Sequence, residues 1–86
     1  MRLLVTGGYG FIGSNFILKL LKEHNNFQII NIDAELIGSN PKNLGEIQNH
    51  KNYEFVKGNI TNKKFMEEQI TNCDAVINFL FVILPL

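Results

Sequence analysis

This chain of 86 residues has very little cysteine and no formal net charge. The single cysteine, Cys73, excludes an internal disulfide and favours a reducing compartment, so we expect a cytoplasmic protein. No second cysteine or histidine lies at ligand spacing from Cys73, and we expect no metal site. Eight basic and eight acidic side chains cancel, and no basic patch predicts a nucleic-acid or membrane-surface partner.

Long apolar runs are also lacking. The longest candidate, residues 75–84, is far shorter than the roughly 20 residues that cross a bilayer, and Asn78 interrupts it. We therefore expect no membrane span and interpret its first half as a buried strand. The tail 80–86 is apolar and uncharged, which predicts self-association of the chain if nothing covers it.

Glycines are concentrated in one place, directly after the apolar run at residues 3–5. Gly8, Gly10 and Gly13 have the spacing G-x-G-x-x-G, and Gly7 adds a second register. In a strand–turn–helix unit such glycines allow the tight turn, the approach of a pyrophosphate and close helix packing. The pyrophosphate would then lie at the N-terminus of a helix, where free N–H groups and the helix dipole favour an anion.

Asp33 follows an apolar stretch, twenty positions after Gly13. A carboxylate at this spacing typically accepts hydrogen bonds from the hydroxyls of the adenosine ribose. The alternative is an ordinary loop acid at the end of a strand. No lysine or arginine follows before Lys42, so the sequence favours NAD over NADP, whose 2′-phosphate a carboxylate would repel.

Strand and helix patterns alternate along the whole chain, which predicts an α/β fold with a parallel sheet in the order 3-2-1-4. The first helix is expected to place its apolar face on the sheet, and Pro41 to begin a short helix. That face consists of Ile12, Phe16, Ile17, Leu20 and Leu21. Thr61 is the expected N-cap of a helix that buries Phe65, Met66 and Ile70. The last strand, 74–79, reads as covered on both faces.

The stretch Thr6-Gly7-Gly8-Tyr9-Gly10-Phe11-Ile12-Gly13-Ser14 resembles the opening of the extended short-chain dehydrogenases/reductases, the NAD-dependent epimerase/dehydratase family. Within that family it is most similar to the dTDP-glucose 4,6-dehydratases. Further matches are Asn31-Ile32-Asp33, Tyr53–Ile60 and Asp74–Phe79. The resemblance covers 1–79 and implies the N-terminal half of a doubly wound Rossmann fold, a partial NAD-binding domain, with 80–86 departing from the family.

The resemblance also implies a set of cofactor-binding residues. The pyrophosphate would be lined by Gly7, Gly10, Phe11, Ile12 and Gly13. Asp33 would hold the ribose, and Asn59 with Ile60 would contact the adenine. The family more often has aspartate at position 59; an asparagine carbonyl is still expected to accept from an adenine amine.

The resemblance also implies the properties of the intact enzymes of this family, which are homodimeric lyases that act on nucleotide sugars. They oxidise C4 with NAD, eliminate water across C5 and C6, and return the hydride to C6. We expect no catalytic residue in this chain: Tyr9 belongs to the glycine turn, and Tyr53 begins a strand without Lys57 at the offset of the family's tyrosine–lysine pair. The chain thus reads as a piece of such a dehydratase, truncated before the catalytic residues. A 4-epimerase or decarboxylase fragment, or a non-catalytic nucleotide-binding module, remain alternatives.

Overall fold

The computed structural model describes residues 1–34 and 40–79. Strands alternate with helices along the chain, as predicted, and a 3₁₀ helix lies between the second and third strands. The elements are β1 (Arg2–Thr6), α1 (Phe11–Glu23), β2 (Gln28–Asp33), the 3₁₀ helix (Pro41–Ile47), β3 (Tyr53–Lys57), α2 (Lys63–Ile70) and β4 (Ala75–Asn78).

The four strands form one parallel sheet in the order β3-β2-β1-β4, which confirms the predicted order. The chain moves outward from β1 to β2 and β3, then returns to pair β4 with the other side of β1. The carboxyl ends of β1 and β4 therefore enclose the point where the strand order reverses. In sheets of this kind, ligands bind at that edge.

One face of the sheet, here the α1 face, is covered by α1 and the 3₁₀ helix. Alternate strand residues project from this face, among them Leu3, Val5 and Ile29. They pack with Ile17 and Leu21 of α1 in one buried cluster. The cluster also contains Leu44 and Ile47 of the 3₁₀ helix, which confirms the short helix expected after Pro41.

The opposite face, here the α2 face, is more thinly covered. Leu4, Ile30 and Ile32 are buried there, but the helix over them contributes no fully buried residue. Phe65 and Met66 are half-buried against this cluster, in agreement with the predicted side of α2.

Three predicted core residues are exposed instead: Ile12 by 66%, Ile70 by 42% and Val76 by 45%. Ile12 lies in the first turn of α1, beyond the carboxyl edge of the sheet, so the strands do not reach it. Ile70 closes the last turn of α2, and Val76 projects from β4, which is an edge strand among the described residues. The prediction that both faces of β4 are covered was therefore wrong for the face that bears Val76.

The N-cap of α2 also differs from the prediction. Asn62, rather than Thr61, caps the helix: its side-chain oxygen accepts from the Phe65 N–H at 3.1 Å. Thr61 is occupied elsewhere, since both its N–H and its hydroxyl donate to the side chain of Asn59.

No helix in the described ranges is long and apolar enough to cross a membrane. The expectation about the tail, residues 80–86, falls outside the described part of the chain.

Candidate functional site

The glycine turn after β1 is closed by its own backbone. Gly7 has a φ of 76°, a conformation that favours glycine, and its N–H donates to the carbonyl of Ile32 in β2 at 3.0 Å. The Gly10 N–H then donates to the Gly7 carbonyl at 3.1 Å. The chain therefore leaves β1 and turns back over the carboxyl end of the sheet before α1 begins.

Gly13 and Gly10 differ in the space around them. A Cβ atom on Gly13 would clash with the carbonyl oxygen of Gly7 and lie 3.0 Å from the Cα of Gly8. Gly13 therefore lets α1 pack closely on the turn. At Gly10 a Cβ would meet only the Gly7 oxygen, at an ordinary 3.4 Å, and the backbone there is one that any residue adopts. The protein itself leaves room at Gly10, which suits the approach of a ligand.

Helix α1 begins with its N–H groups available to a ligand. Gly10 is the N-cap and supplies no side-chain acceptor, and the first bond of this end runs from the Ser14 N–H to the Gly10 carbonyl at 2.9 Å. No described residue accepts from the N–H groups of Phe11, Ile12 and Gly13. The first turn contains no acidic residue that would compete with an anion.

A buried polar network supports the glycine turn on the side of the sheet. It was not predicted from the sequence. Asn31, fully buried in β2, accepts from the Gly8 N–H through Oδ1 at 2.9 Å. Its Nδ2 donates to the Tyr53 hydroxyl at 3.1 Å, and that hydroxyl also bonds to Tyr9. The available signal was an asparagine between isoleucines in the strand 28–33, since a buried amide needs partners.

Tyr9 is held in place by its backbone carbonyl and by its ring. Its carbonyl accepts from the Asn40 N–H at 2.9 Å and from the Asn43 side-chain amide at 3.0 Å. Its ring stacks on Phe55, with 4.6 Å between the ring centroids. The glycine turn is therefore tied to β2, β3 and the 3₁₀ helix.

Asp33 lies at the carboxyl end of β2, beside the glycine turn. It is only 3% exposed, and its Oδ2 accepts from the Tyr9 N–H at 3.2 Å. Its neighbour across the sheet is Lys57, the last residue of β3. The sequence reasoning considered only lysines that follow Asp33 closely in the chain, so its statement that no cation lies nearby was wrong.

Asn59 and Ile60 follow β3 and lie at the same edge of the sheet. The Gly58 N–H donates to the Asp33 carbonyl at 3.2 Å, which keeps this segment beside the end of β2. Asn59 is exposed and Ile60 half-buried. The Asn59 side-chain carbonyl, however, accepts from Thr61 twice, at 3.0 Å from the N–H and 2.9 Å from the hydroxyl. The side-chain oxygen that was expected to accept a hydrogen bond from an adenine amine therefore already accepts two from Thr61.

Lys57 does lie at the Tyr-x-x-x-Lys offset from Tyr53, so the statement that this offset is lacking was wrong. The two residues still cannot work as a pair. They are the two ends of a five-residue strand, about 13 Å apart at the usual rise per residue. Burial, with a smaller contribution from the charge of Asp33, raises the pKa of Tyr53 above its ordinary value of 10.0, although bonds to Asn31 and Tyr9 oppose the shift. A tyrosine that exchanges protons near neutral pH needs a lowered pKa.

The predicted site residues thus lie along one edge of the sheet: the glycine turn after β1, Asp33 after β2, and Asn59 with Ile60 after β3. The sequence model of the family described as GDP-mannose 4,6 dehydratase matches residues 4–80. The chain belongs to this family.

Comparisons with relatives agree with this membership. The dTDP-D-glucose 4,6-dehydratase of Homo sapiens is 39% identical over 80 residues, which are 91% of this chain and 23% of that protein. The crystal structure of dTDP-glucose 4,6-dehydratase from Bacillus anthracis, in complex with NAD, superposes with a TM-score of 0.88 at 44% identity. It matches 95% of this chain and 27% of that one.

An epimerase is less similar. The structure of UDP-glucose 4-epimerase from Bifidobacterium longum, in complex with NAD⁺ and UDP, gives a TM-score of 0.77 at 29% identity, over 95% of this chain and 25% of that one. This chain therefore spans about a quarter of the length of the proteins it matches. Both structures share the α/β architecture of this chain.

Proposed function

We propose that this chain is the NAD-binding portion of a nucleotide-sugar 4,6-dehydratase. The observation that carries the proposal is the N-terminus of α1, where Phe11, Ile12 and Gly13 present N–H groups. The carboxylate of Asp33 contacts the turn that leads into this helix, at the Tyr9 N–H. An anion at a helix N-terminus gains about 0.3–1 kcal/mol from the dipole, in addition to the hydrogen bonds it accepts. The similar dehydratase of Bacillus anthracis was crystallised with NAD.

In this proposal each part of the edge has a separate task. Gly7, Gly10, Phe11, Ile12 and Gly13 surround the pyrophosphate, and the space at Gly10 admits it. Asp33 accepts from the ribose hydroxyls, while Asn59 and Ile60 border the adenine.

The bound nicotinamide supplies the hydride acceptor for oxidation at C4 of a sugar nucleotide. The chain's own contribution is to bind and orient that cofactor. Tyr53 and Lys57 are too far apart to move the proton, so we expect no formation of a 4-keto sugar by these 86 residues alone.

A dehydratase is favoured over an epimerase by the comparisons, since identity and superposition are both higher for the dehydratase structure. We also propose that the protein is cytoplasmic, and that the intact enzyme is a homodimer that acts on a nucleotide sugar. We also propose that this chain by itself self-associates, supported by the exposed Val76 on β4.

The test is calorimetric titration of NAD and NADP into the wild type and Asp33→Asn. An asparagine side chain in place of Asp33 can still accept from the Tyr9 N–H, so the substitution removes the charge and leaves the turn in place. We expect the wild type to bind NAD about tenfold more tightly than NADP, and the variant to lose most of that preference.

Asp74→Asn is the matched control. Asp74 accepts from the Arg2 N–H at 2.7 Å at the amino end of the sheet, so its substitution changes the net charge equally but far from the proposed site. This variant should bind as the wild type does. Equal or tighter binding of NADP by the wild type would refute the role of Asp33. Absence of binding of either dinucleotide would refute the proposed function.

A further inference from the structure

The amide of Asn59 has a fixed orientation. Its Oδ1 accepts from the Thr61 N–H at 3.0 Å and from the Thr61 hydroxyl at 2.9 Å. A backbone N–H can only donate, so the side-chain oxygen must face Thr61 and cannot exchange places with the nitrogen. Two donors also occupy both lone pairs of that oxygen.

The other end of the amide is open. Nδ2 donates to no described residue, and Asn59 is exposed. The side chain therefore presents to its surroundings an N–H donor and no acceptor.

The topology places this donor where a nucleobase would lie, and this step rests on the proposed function. The pyrophosphate position is at the end of β1 and the ribose position at the end of β2. The base then extends to the end of β3, the next strand in the sheet. Gly58 keeps that end in contact with β2, because its N–H donates to the carbonyl of Asp33 at 3.2 Å.

We propose that Asn59 determines base specificity by donating a hydrogen bond to an acceptor on the purine. Adenine carries an amine at C6, which only donates and does not match Nδ2. Its acceptors are ring nitrogens. Hypoxanthine carries a carbonyl oxygen at C6, which accepts from Nδ2 directly. The site therefore tolerates a 6-oxo purine that an outward-facing oxygen at position 59 would reject.

Asn59→Asp is a closely matched substitution for testing this. An aspartate has the same shape, keeps one oxygen for the Thr61 N–H and hydroxyl, and replaces the outward Nδ2 by an oxygen. The outward group then accepts from the adenine amine and repels the hypoxanthine carbonyl. Asn72→Asp is the control, since Asn72 is exposed in the turn before β4, at the amino end of the sheet.

The experiment titrates NAD and nicotinamide hypoxanthine dinucleotide into the wild type, Asn59→Asp and Asn72→Asp and compares the ratios of the two dissociation constants. We expect the two ligands to differ by less than about threefold in the wild type. The preference for NAD should rise about tenfold in Asn59→Asp, the size of one charged hydrogen bond, and stay unchanged in Asn72→Asp.

Two other results are informative in different ways. A wild type that already prefers NAD tenfold, or a ratio that Asn59→Asp does not move while both ligands bind, would overturn the role of Asn59 and leave the proposed function standing. No binding of either dinucleotide by any of the three proteins would overturn the proposed function, and this inference with it.

Discussion

The two faces of the sheet are built differently, although the same strands form both. The α1 face is closed by α1 and the 3₁₀ helix, and its buried cluster includes Tyr9 and Tyr53. Among the described residues of the α2 face, those that are fully buried all belong to strands, and Ile70 remains 42% exposed. Of the residues proposed to bind the cofactor, Asp33 projects from the tightly packed face, while the glycine turn rests on Asn31 of that face.

This difference shows what the proposed dinucleotide site requires of the fold. Backbone N–H groups bind an anion well only if they are held in place before the ligand arrives. The α1 face supplies that support through Asn31, which is itself satisfied by the Gly8 N–H and the Tyr53 hydroxyl. On the α2 face the Thr6 hydroxyl donates to Asn78 Oδ1 at 2.6 Å, a partly buried contact that joins the ends of β1 and β4. Substitutions should therefore cost more stability on the α1 face than on the other.

The largest effect is expected for Gly13→Ala, where α1 meets the glycine turn. The added Cβ clashes with the Gly7 carbonyl oxygen, which belongs to a backbone that cannot move without opening the turn. We expect the free energy of unfolding to fall by about 3 kcal/mol, measured by urea denaturation.

Gly45→Ala is the control for that substitution. Gly45 lies in the 3₁₀ helix, and a Cβ there would have nothing within 4 Å. Its unfolding free energy should change by less than about 0.5 kcal/mol. Equal losses in the two variants would contradict the assignment of close packing to Gly13.

A smaller effect is expected for Tyr53→Phe, which removes one hydroxyl from the buried network. Asn31 Nδ2 loses its acceptor, at a cost of about 1–2 kcal/mol at neutral pH. Thr71→Val is the comparison, because the Thr71 hydroxyl donates to the Glu67 carbonyl in an exposed turn and its loss should cost less.

The cost of Tyr53→Phe should also depend on pH. Because burial raises the pKa of Tyr53 in the folded protein, the unfolded chain loses this proton first, above the ordinary value of 10.0. The contribution of Tyr53 to stability is thus complete below pH 10.0 and falls as the pH rises toward the folded pKa. Urea denaturation should show the difference in unfolding free energy between wild type and variant narrowing as the pH rises above 10.0. A constant gap would argue against burial of this hydroxyl.

The architecture was predictable because its signals are local. Glycine spacing, strand-forming runs and the position of Asp33 follow from residues near one another in the chain, and the order β3-β2-β1-β4 follows from the alternation of strands and helices. The short helix after Pro41 was predicted for the same reason, although its 3₁₀ form was not.

One error concerns a contact between residues distant in the sequence. Lys57 lies beside Asp33 only because β2 and β3 pair in one register. The error at the N-cap of α2 is local: the N–H and hydroxyl of Thr61 donate to Asn59, and the cap is Asn62. Exposure of Val76 depends on what lies next to β4, and periodicity within the strand does not contain that information.

The smallest effects compare one substitution, isoleucine to valine, on the two sides of the sheet. Ile17 of α1 is fully buried on the α1 face, and Ile70 of α2 is 42% exposed. Removing one methylene should cost about 1 kcal/mol at Ile17, because the tightly packed cluster leaves a cavity, and about 0.2 kcal/mol at Ile70, where water fills the space. Urea denaturation of both variants against the wild type measures the two losses. If they are equal, the α2 face is as closely packed as the α1 face, and the contrast between the two faces does not extend to their energetics.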